Sequence, residues 1–295
     1  MNKIIVIDKE KKMTSHDVVN KIRRIFNTKR VGHTGTLDPN ATGVLVVCLN
    51  EATKLVQFLE SDQKTYLARI CVGIATTTED GDGEIIEQKE VQEISEEFVD
   101  STLRTFLGDS YQTPPMYSAI KKDGKKLYEY ARIGQKVEVE KRLINIKDIR
   151  RINNVIFKDG YMEFDFISTV SKGTYIRTLC VDIGEKLGYP AHMKELRRIK
   201  VGNFDLIDAR KIDDIEKGNY KTYSMLEAIK NYPLINDEEF VQKANNGMKI
   251  SINKVIEILG QKYNRVAIVE NDNLIAIYEL DEDRKCYKAV RVWKY

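Results

Sequence analysis

The sequence predicts an α+β protein: a mixed, largely antiparallel sheet with flanking helices, followed by a small β-rich module. Segments with strand-like patterns outnumber helical ones, and the hairpin-like spacing between them favours antiparallel pairing. The pattern changes near residues 232–233, after which short strands separated by turn residues predominate. The chain has 295 residues, more than one hydrophobic core normally serves, so a large domain and a smaller one are expected.

Hydrophobic periodicity gives the elements of the large domain, expected over residues 1–228. A strand at 4–8 precedes a helix capped by Thr14 or Ser15, which has an apolar stripe on one face and basic residues on the other. The later elements are, in order, a strand at 44–49, a short helix at 51–59, a strand at 65–74, a turn at 79–83, a helix at 96–106 capped by Ser95, a short strand after the prolines at 114–115, helical turns at 126–132, strands at 137–151 and 161–170, a helix at 174–187 ended by Gly188, and a strand at 193–201.

The second module is expected over residues 233–295. It begins with a helix at 237–244 and a turn at 245–247. Short strands at 265–270, 274–279 and 287–293 follow, with turn residues between them, which is typical of a small β-barrel-like unit.

Charge is distributed unevenly along the chain, although the net charge is only +3. The first thirty-odd residues and the segment 121–151 are basic, whereas residues 79–100 are mostly acidic. A one-sided distribution is typical of a phosphate-binding face on a protein that binds RNA or DNA. Ordinary surface charge is the alternative interpretation.

Composition argues against several classes of function. The four cysteines are far apart in apolar segments, as expected of reduced thiols in a cytoplasmic protein, and the three histidines are scattered. We therefore expect no metal ion and no cofactor. No apolar run approaches the eighteen or so residues of a membrane helix, and the first eight residues do not resemble a signal peptide. The cysteines are Cys48, Cys71, Cys180 and Cys286.

The most unusual segment is residues 32–43, which contains three glycines around Asp38. Glycine lets the backbone approach a ligand closely, and Pro39 excludes Asp38 from the helical region, so its carboxylate is presented rigidly. The segment lacks the ending of a P-loop. It is a catalytic candidate, but Asp-Pro-Asn is also common in ordinary turns.

Two further residues could belong to the same site. Arg177 lies in the first turn of its helix, where a cation opposes the helix dipole, so it is either solvated or paired bidentately with a carboxylate such as Asp38. Tyr66 lies on the apolar face of its strand, which indicates core packing unless the end of the sheet opens into a cleft. Glu79, Asp80 and Asp82 could hold a divalent metal ion or simply form a turn.

Five segments together resemble the TruB-type tRNA pseudouridine synthases. They are GHTGTLDPNATGVLVVCLNEATKL from Gly32, KTYLARICVG from Lys64, PPMYSAIKKDGKKLYEYAR from Pro114, SKGTYIRT from Ser171 and HMKELRRIKVGNF from His192. They follow the order and spacing of the family over most of residues 3–205. The final sixty residues are weakly similar to the family's C-terminal RNA-binding module, which is related to PUA domains.

The resemblance implies the pseudouridine synthase catalytic fold and the isomerisation of uridine 55 in the tRNA T-arm to pseudouridine. It assigns Asp38 as the catalytic aspartate, Tyr66 as the aromatic residue beside the target base, and Arg177 as the partner of the aspartate. A basic insertion at about 121–142 would close on the T-arm. The residues expected to contact RNA are His33, Lys9, Arg30, Tyr117, Lys121, Lys125, Lys126, Tyr175, Leu196 and Arg197.

The chain departs from the family pattern at two places. Residues 8–12 read Asp-Lys-Glu-Lys-Lys where the family usually has Asp-Lys-Pro-x-Gly, which affects the geometry of that turn. Residues 76–78 are three threonines where many members have Thr-Asp-Thr, so a supporting polar contact could be lost.

Three alternative functions compete with this interpretation. They are a non-catalytic tRNA-binding or tRNA-folding protein, a pseudouridine synthase that works inside a guide-RNA complex, and a metal-dependent hydrolase that uses residues 79, 80 and 82. The chain's own C-terminal module and basic insertion favour a cytoplasmic monomer that recognises the tRNA T-arm without a guide RNA.

Overall fold

The computed structural model describes residues 2–60, 63–135 and 137–294, so Lys136 of the basic insertion and Tyr295 lie outside the described residues. The helices are α1 Ser15–Ile25, α2 Val56–Leu59, α3 Glu96–Arg104, α4 Leu127–Arg132, α5 Ile176–Leu187, α6 Ile212–Glu216, α7 Met225–Ala228, α8 Glu238–Asn245 and α9 Ile252–Leu259, with 3₁₀ turns at Asn50–Leu55 and Leu206–Asp208. The strands are β1 Ile4–Lys9, β2 Val31–His33, β3 Thr42–Leu49, β4 Lys64–Val72, β5 Ile74–Thr76, β6 Ile85–Gln88, β7 Gly108–Gln112, β8 Lys121–Lys122, β9 Lys125–Lys126, β10 Arg142–Arg151, β11 Ile156–Lys158, β12 Tyr161–Val170, β13 Ala191–Val201, β14 Phe204–Asp205, β15 Leu234–Ile235, β16 Ile250–Ser251, β17 Arg265–Glu270, β18 Asn273–Asp281 and β19 Cys286–Val292.

The described part of the chain contains a ten-stranded sheet and a five-stranded sheet. The path through the large sheet is β1-β3-β13-β4-β12-β10-β7, and β2, β11 and β14 pair at its sides. Only the β13–β3 pairing within it is parallel; the other described pairs of this sheet are antiparallel. The predicted α+β class with a mixed, largely antiparallel sheet is confirmed.

The parallel pairing of β13 with β3 positions the loop before β3. Arg197 lies opposite Thr42 and Arg198 opposite Gly43. At Gly43 φ is +100°, and a Cβ atom there would lie 2.1 Å from the carbonyl oxygen of Arg198. Only glycine permits so close a crossing of two backbones. The end of the loop is therefore fixed against the centre of the sheet.

Some elements differ from those predicted. The strand expected over 137–151 begins only at Arg142, because its partner β7 ends at Gln112 and two prolines follow directly after Thr113. Strand β7 itself has a polar sequence with little alternation, so no signal predicted it. Helix α9 in the C-terminal part was also not predicted.

The five-stranded sheet is packed tightly onto the large domain. Its path is β15-β17-β18-β19-β16. Side chains from Leu274, Ile277 and Trp293 share one buried cluster with Val6 and Phe58. Trp293 is 1% exposed and its indole Nε1 donates to the carbonyl of Glu51 at 3.1 Å. No described helix has the length and apolar character required to cross a bilayer.

Candidate active site

The loop formed by residues 34–41, here called the Asp38 loop, connects β2 to β3 and is anchored by its own apolar residue. Leu37 is 3% exposed and packs into the core of the large sheet. Its backbone N–H donates to Ser15 Oγ at 2.9 Å, and the same hydroxyl donates to the Leu37 carbonyl at 3.3 Å. Because Ser15 opens α1, the helix and the loop are held together directly beside Asp38.

Asp38 forms an ion pair with Arg177. Its Oδ2 lies 3.1 Å from Arg177 Nε, and 40% of the Asp38 side chain remains accessible to solvent. The backbone carbonyl of Asp38 accepts from the N–H of Ala41 at 3.1 Å, which closes a tight turn around Pro39. The carboxylate is therefore fixed on one side and open on the other.

Arg177 is nearly completely buried and each of its nitrogen groups is used. The Nη1 group donates to the carbonyl of Thr78 at 3.0 Å, and Nη2 donates to the carbonyl of Tyr117 at 2.9 Å. Nη1 also lies 3.7 Å from Asp80 Oδ2. The cation pairs with Asp38 through Nε rather than through the bidentate fork that the sequence suggested, because the two outer nitrogens hold neighbouring loops.

Two opposing effects act on the carboxyl group of Asp38. Burial raises its pKa above the usual value near 3.8, and the negative charges of Asp80 and Asp82 act in the same direction. The positive charges of Arg177 and Lys9 lower the pKa. The result is an aspartate that is desolvated and more basic than usual, as expected of a group that must react rather than remain solvated.

A cleft with a volume of about 630 Å³ lies over the ion pair. Tyr66 is 8% exposed and packs in the main core, as the apolar face of its strand indicated. It also lines this cleft, so the end of the sheet does open beside it. The other predicted residues that line the cleft are Asp38, Tyr117, Tyr175, Arg177 and Leu196.

The predicted RNA contacts on the basic insertion lie beside this cleft. Lys121 and Lys125 are exposed on the β8–β9 hairpin. Lys126 lies 5.4 Å from the centre of the Tyr128 ring, and the guanidinium of Arg132 lies 5.1 Å from the same ring. Cations held against an aromatic ring form a surface on which a phosphate backbone and a base can both bind.

Lys9, which was predicted to contact RNA, is buried in the protein. It is 0% exposed, and its Nζ donates to the carbonyls of Glu10 at 3.0 Å, Met13 at 2.7 Å and Pro39 at 2.9 Å. A buried ammonium with three protein acceptors has no proton left for a phosphate group. Burial lowers its pKa to about 8. Lys9 supports the Asp38 loop from beneath, and its assignment as a contact to RNA is wrong.

Three other predicted contacts lie outside the lining of the cleft and already have protein partners. Arg30 is exposed and pairs with Glu51 at 2.6 Å. Arg197 is partly exposed and pairs with Asp8 at 2.7 Å. His33 Nδ1 accepts from the Gly35 N–H at 3.3 Å, and burial lowers the pKa of the imidazole, so the ring is neutral at pH 7.

Sequence reasoning missed Arg198, which is 1% exposed beneath the Asp38 loop. Its Nε donates to the Val44 carbonyl at 2.8 Å and its Nη2 to the Gly35 carbonyl at 3.0 Å. A charged residue in an alternating strand is normally read as solvent-facing, so no sequence signal distinguished it.

The two departures from the family pattern have structural outcomes. At Lys12, where the family usually has glycine, φ is 65°, so the turn keeps a left-handed residue despite the lysine. Thr77 stands where many members have aspartate, and its hydroxyl oxygen accepts from the Glu84 backbone N–H at 3.1 Å. The neighbouring Thr78, which matches the pattern, donates its hydroxyl to Asp80 Oδ1, beside Arg177.

The acidic residues after β5 are used by protein groups. Glu79 Oε2 accepts from the Thr178 hydroxyl at 2.7 Å, and Asp80 is held by Thr78 and faces Arg177. Among the described residues, no group of three or more histidine, cysteine, aspartate or glutamate side chains could hold a metal ion.

Two family models together match residues 23–232. The model of the N-terminal domain of TruB family pseudouridylate synthases matches residues 23–176. The model of the C-terminal domain of tRNA pseudouridylate synthase B matches residues 177–232.

Proteins named tRNA pseudouridine synthase B are similar over most of the chain. That of Bacillus pumilus is 51% identical over 216 residues, which are 73% of this chain and 70% of that protein. That of Bacillus cytotoxicus is 43% identical over 288 residues, 95% of this chain and 92% of that protein. That of Staphylococcus saprophyticus is 43% identical over 289 residues, with coverages of 96% and 92%.

Solved structures agree with these similarities. A chain from a Cbf5–Nop10–Gar1 complex aligns with a TM-score of 0.71 at 26% identity, covering 99% of this chain and 84% of that chain. A chain from an archaeal box H/ACA sRNP Nop10–Cbf5 complex aligns with a TM-score of 0.66 at 25% identity, with coverages of 99% and 85%. They support the same architecture for the described sheet and its surroundings.

Proposed function

Because the chain belongs to the TruB family of pseudouridine synthases, we propose that it isomerises uridine 55 in the T-arm of tRNA to pseudouridine. The observation that carries this proposal is the ion pair between Asp38 and Arg177 at the base of a cleft lined by Tyr66. The names of its relatives support tRNA as the substrate.

The chemistry requires a nucleophile or base and a place for a detached uracil. The bond from N1 to C1′ breaks, the uracil rotates and C5 joins C1′. C5 then loses its proton and N1 gains one, so atoms and electrons balance without a second substrate. A carboxylate such as that of Asp38 can divide the reaction into two easier steps through a covalent intermediate. Its raised pKa makes it a stronger base and nucleophile than a solvated aspartate.

The target base must leave the stack of the T-loop to reach Asp38, which costs a few kcal/mol. The cleft is large enough to receive it, and Tyr66 supplies an aromatic wall. Phosphate contacts from the exposed lysines of the insertion offset the cost. Recognition then depends on the folded shape of the T-arm more than on its sequence.

We further propose the organisation of the chain around this reaction. Residues 1–228 form the catalytic domain, the segment 121–142 closes on the T-arm, and residues 233–295 form a PUA-like module that binds RNA. The protein would act as a monomer in the cytoplasm, on tRNA alone and without a guide RNA.

The direct test is to replace Asp38 by asparagine, which keeps the shape of the side chain and removes its charge. We expect D38N to abolish pseudouridine formation on an unmodified T-arm stem-loop and to leave its Kd within a few-fold. Pseudouridine mapping and filter binding measure the two quantities. Undiminished turnover by D38N would overturn the assignment of Asp38.

Arg177 distinguishes catalysis from binding in the same assay. We expect R177A to lower the rate far more than the affinity, because the side chain is nearly completely buried against Asp38. Equal losses of rate and affinity would make Arg177 a binding residue. If the wild-type protein binds the stem-loop but never modifies it, the non-catalytic tRNA-binding alternative is favoured. If modification requires a second, added RNA, the guide-RNA alternative is favoured.

A further inference from the structure

Besides the ion pair with Arg177 and the contacts made by Ser15, Lys9 and Arg198, the Asp38 loop has a further attachment through Asn40. The side-chain amide Nδ2 of Asn40 donates to both carboxylate oxygens of Asp82, at 2.6 and 2.7 Å. Both residues are exposed, so this contact lies on the surface of the site rather than in the core. Hydrogen bonds from a neutral donor to an ionised acceptor at such short distances are stronger than those between neutral groups.

Asp82 is itself held rigidly within residues 76–83, here called the acidic turn. Its backbone N–H donates to Asp80 Oδ1 at 3.1 Å, and the Gly81 N–H donates to the Met193 carbonyl of β13 at 3.1 Å. At Gly83 a Cβ atom would lie 2.5 Å from the hydroxyl oxygen of Thr78. The carboxylate that Asn40 contacts therefore stands on a turn fixed to the central strand of the sheet.

The ion pair of Asp38 and the contact of Asn40 belong to one closed ring of contacts. Asp38 is bound to Arg177, Arg177 is bound to the acidic turn through the Thr78 carbonyl, and the acidic turn is bound back to the loop through Asp82 and Asn40. Because the Ala41 N–H bonds to the Asp38 carbonyl at 3.1 Å, residues 38–41 move as one unit. The position of Asn40 is therefore coupled to that of Asp38 through this short turn.

Asp38 also stands between two cavities. One side faces the cleft that contains Tyr66, and the other faces a smaller cavity of about 280 Å³ lined by Asn40, Asp80 and Asp82. A loop free to pivot could turn the carboxylate toward either cavity. Only the orientation toward the cleft is productive for a base held beside Tyr66.

We propose that Asn40 and Asp82 are positioning residues, which hold the Asp38 carboxylate toward the substrate cleft and so set the rate of the chemical step. This inference rests on the proposed function. A displacement of a reacting group by about 1 Å can cost as much as 100-fold in rate, so the loss of this one attachment, with the others kept, is expected to cost about tenfold. Neither residue needs to touch the RNA.

The experiment is a double-mutant cycle under single-turnover conditions on the T-arm stem-loop, with Kd measured in parallel. We expect N40A and D82A each to lower the rate about tenfold and the double variant to lower it no further, with every Kd within twofold of wild type. Glu84→Ala is the matched control. Glu84 is an exposed carboxylate two residues after Asp82 and has no side-chain partner among the described residues, so this substitution should leave the rate unchanged.

Exchanging the two groups separates positioning from a general loss of structure. N40D places two carboxylates face to face and is expected to be the slowest variant, whereas N40D/D82N restores an amide–carboxylate pair and should recover the rate to within about threefold of wild type. Additive losses, rates equal to wild type, or losses confined to Kd would each overturn the inference. An inactive wild-type protein would instead refute the proposed function itself.

Discussion

The carboxyl group of Asp38 combines two properties that rarely occur together, a guanidinium partner at 3.1 Å and a pKa above the ordinary value. An ion pair alone would lower the pKa of an aspartate, but here desolvation is the larger effect. The surroundings therefore desolvate the carboxyl group, while the positive charge of Arg177 favours its ionised form.

This balance predicts a pH dependence. Under the proposed function Asp38 reacts in its ionised form, so kcat/KM should fall as the pH drops through its raised pKa, with an acidic limb above the usual value near 3.8. Because Arg177 lowers that pKa, the residual activity of R177A should show its acidic limb at still higher pH. Single-turnover rates between pH 4 and 8 measure both. A limb unmoved by the substitution would show that Asp38 is not the titrating group.

Lys12 is a residue in an unfavourable conformation. Its φ of 65° places a β-carbon where glycine is preferred, and its side chain is exposed. We expect K12G to raise the free energy of unfolding by about 0.5–1 kcal/mol, without changing the rate, as measured by urea denaturation. Lys11→Gly is the control: the φ of Lys11 is not positive, so glycine there should destabilise instead. Equal effects at both positions would contradict the explanation.

At the scale of elements, helix α1 serves the site through its first residue. The capping box between Thr14 and Asp17 starts the helix, and Ser15 then binds both backbone groups of Leu37 in the Asp38 loop. The first residue of this basic helix thus holds the Asp38 loop by two hydrogen bonds.

Substitutions in this helix should separate stability from positioning. We expect S15A to lower the free energy of unfolding by about 1–2 kcal/mol, because it leaves the buried N–H and carbonyl of Leu37 unpaired, and also to lower the catalytic rate. T14A removes the cap without touching the loop, so it should cost about 1 kcal/mol and leave the rate near wild type. Comparable rates for the two variants would show that Ser15 does not position the loop.

At the scale of the molecule, the C-terminal sheet and the catalytic domain share a core. The cluster around Trp293 draws side chains from β1, α2 and β18. A module attached through a buried cluster cannot swing on a linker, so any RNA that it binds is held at a fixed distance from Asp38.

The shared core predicts cooperative unfolding. We expect W293A to cost about 3–5 kcal/mol and to destabilise the whole chain, whereas W293F keeps most of the packing, loses the bond to the Glu51 carbonyl and costs less. Trp293 is the only tryptophan, so in wild type its fluorescence and the far-ultraviolet circular dichroism should change together on denaturation. Separate transitions would mean that the two parts fold independently.

Much of this protein follows from its sequence because the signals are local. The α+β class and six of the ten strands of the main sheet follow from the period of the apolar residues. Glycine and proline around Asp38 mark the loop by the backbone conformations they permit. The positive charge of Arg177 in the first turn of its helix, where it opposes the helix dipole, suggested a carboxylate partner. Local signals failed at β7 and in residues 137–141. A segment forms a strand only if a neighbouring strand pairs with it, and the sequence pattern does not show where that neighbour begins or ends.

The tertiary structure alone decided which charged residues are exposed around the cleft and which are buried and hold the site together. Lys9 and Arg198 read as surface cations, yet both are buried under the Asp38 loop, and the fork of Arg177 is divided between two distant carbonyls. The contact between Asn40 and Asp82 joins segments forty-two residues apart. Whether such a residue is buried or paired depends on which remote segment of the chain packs against it. A local sequence pattern does not contain this information. The sequence determined that the Asp38 carboxylate projects from a rigid loop; the fold determined which groups hold that loop in place.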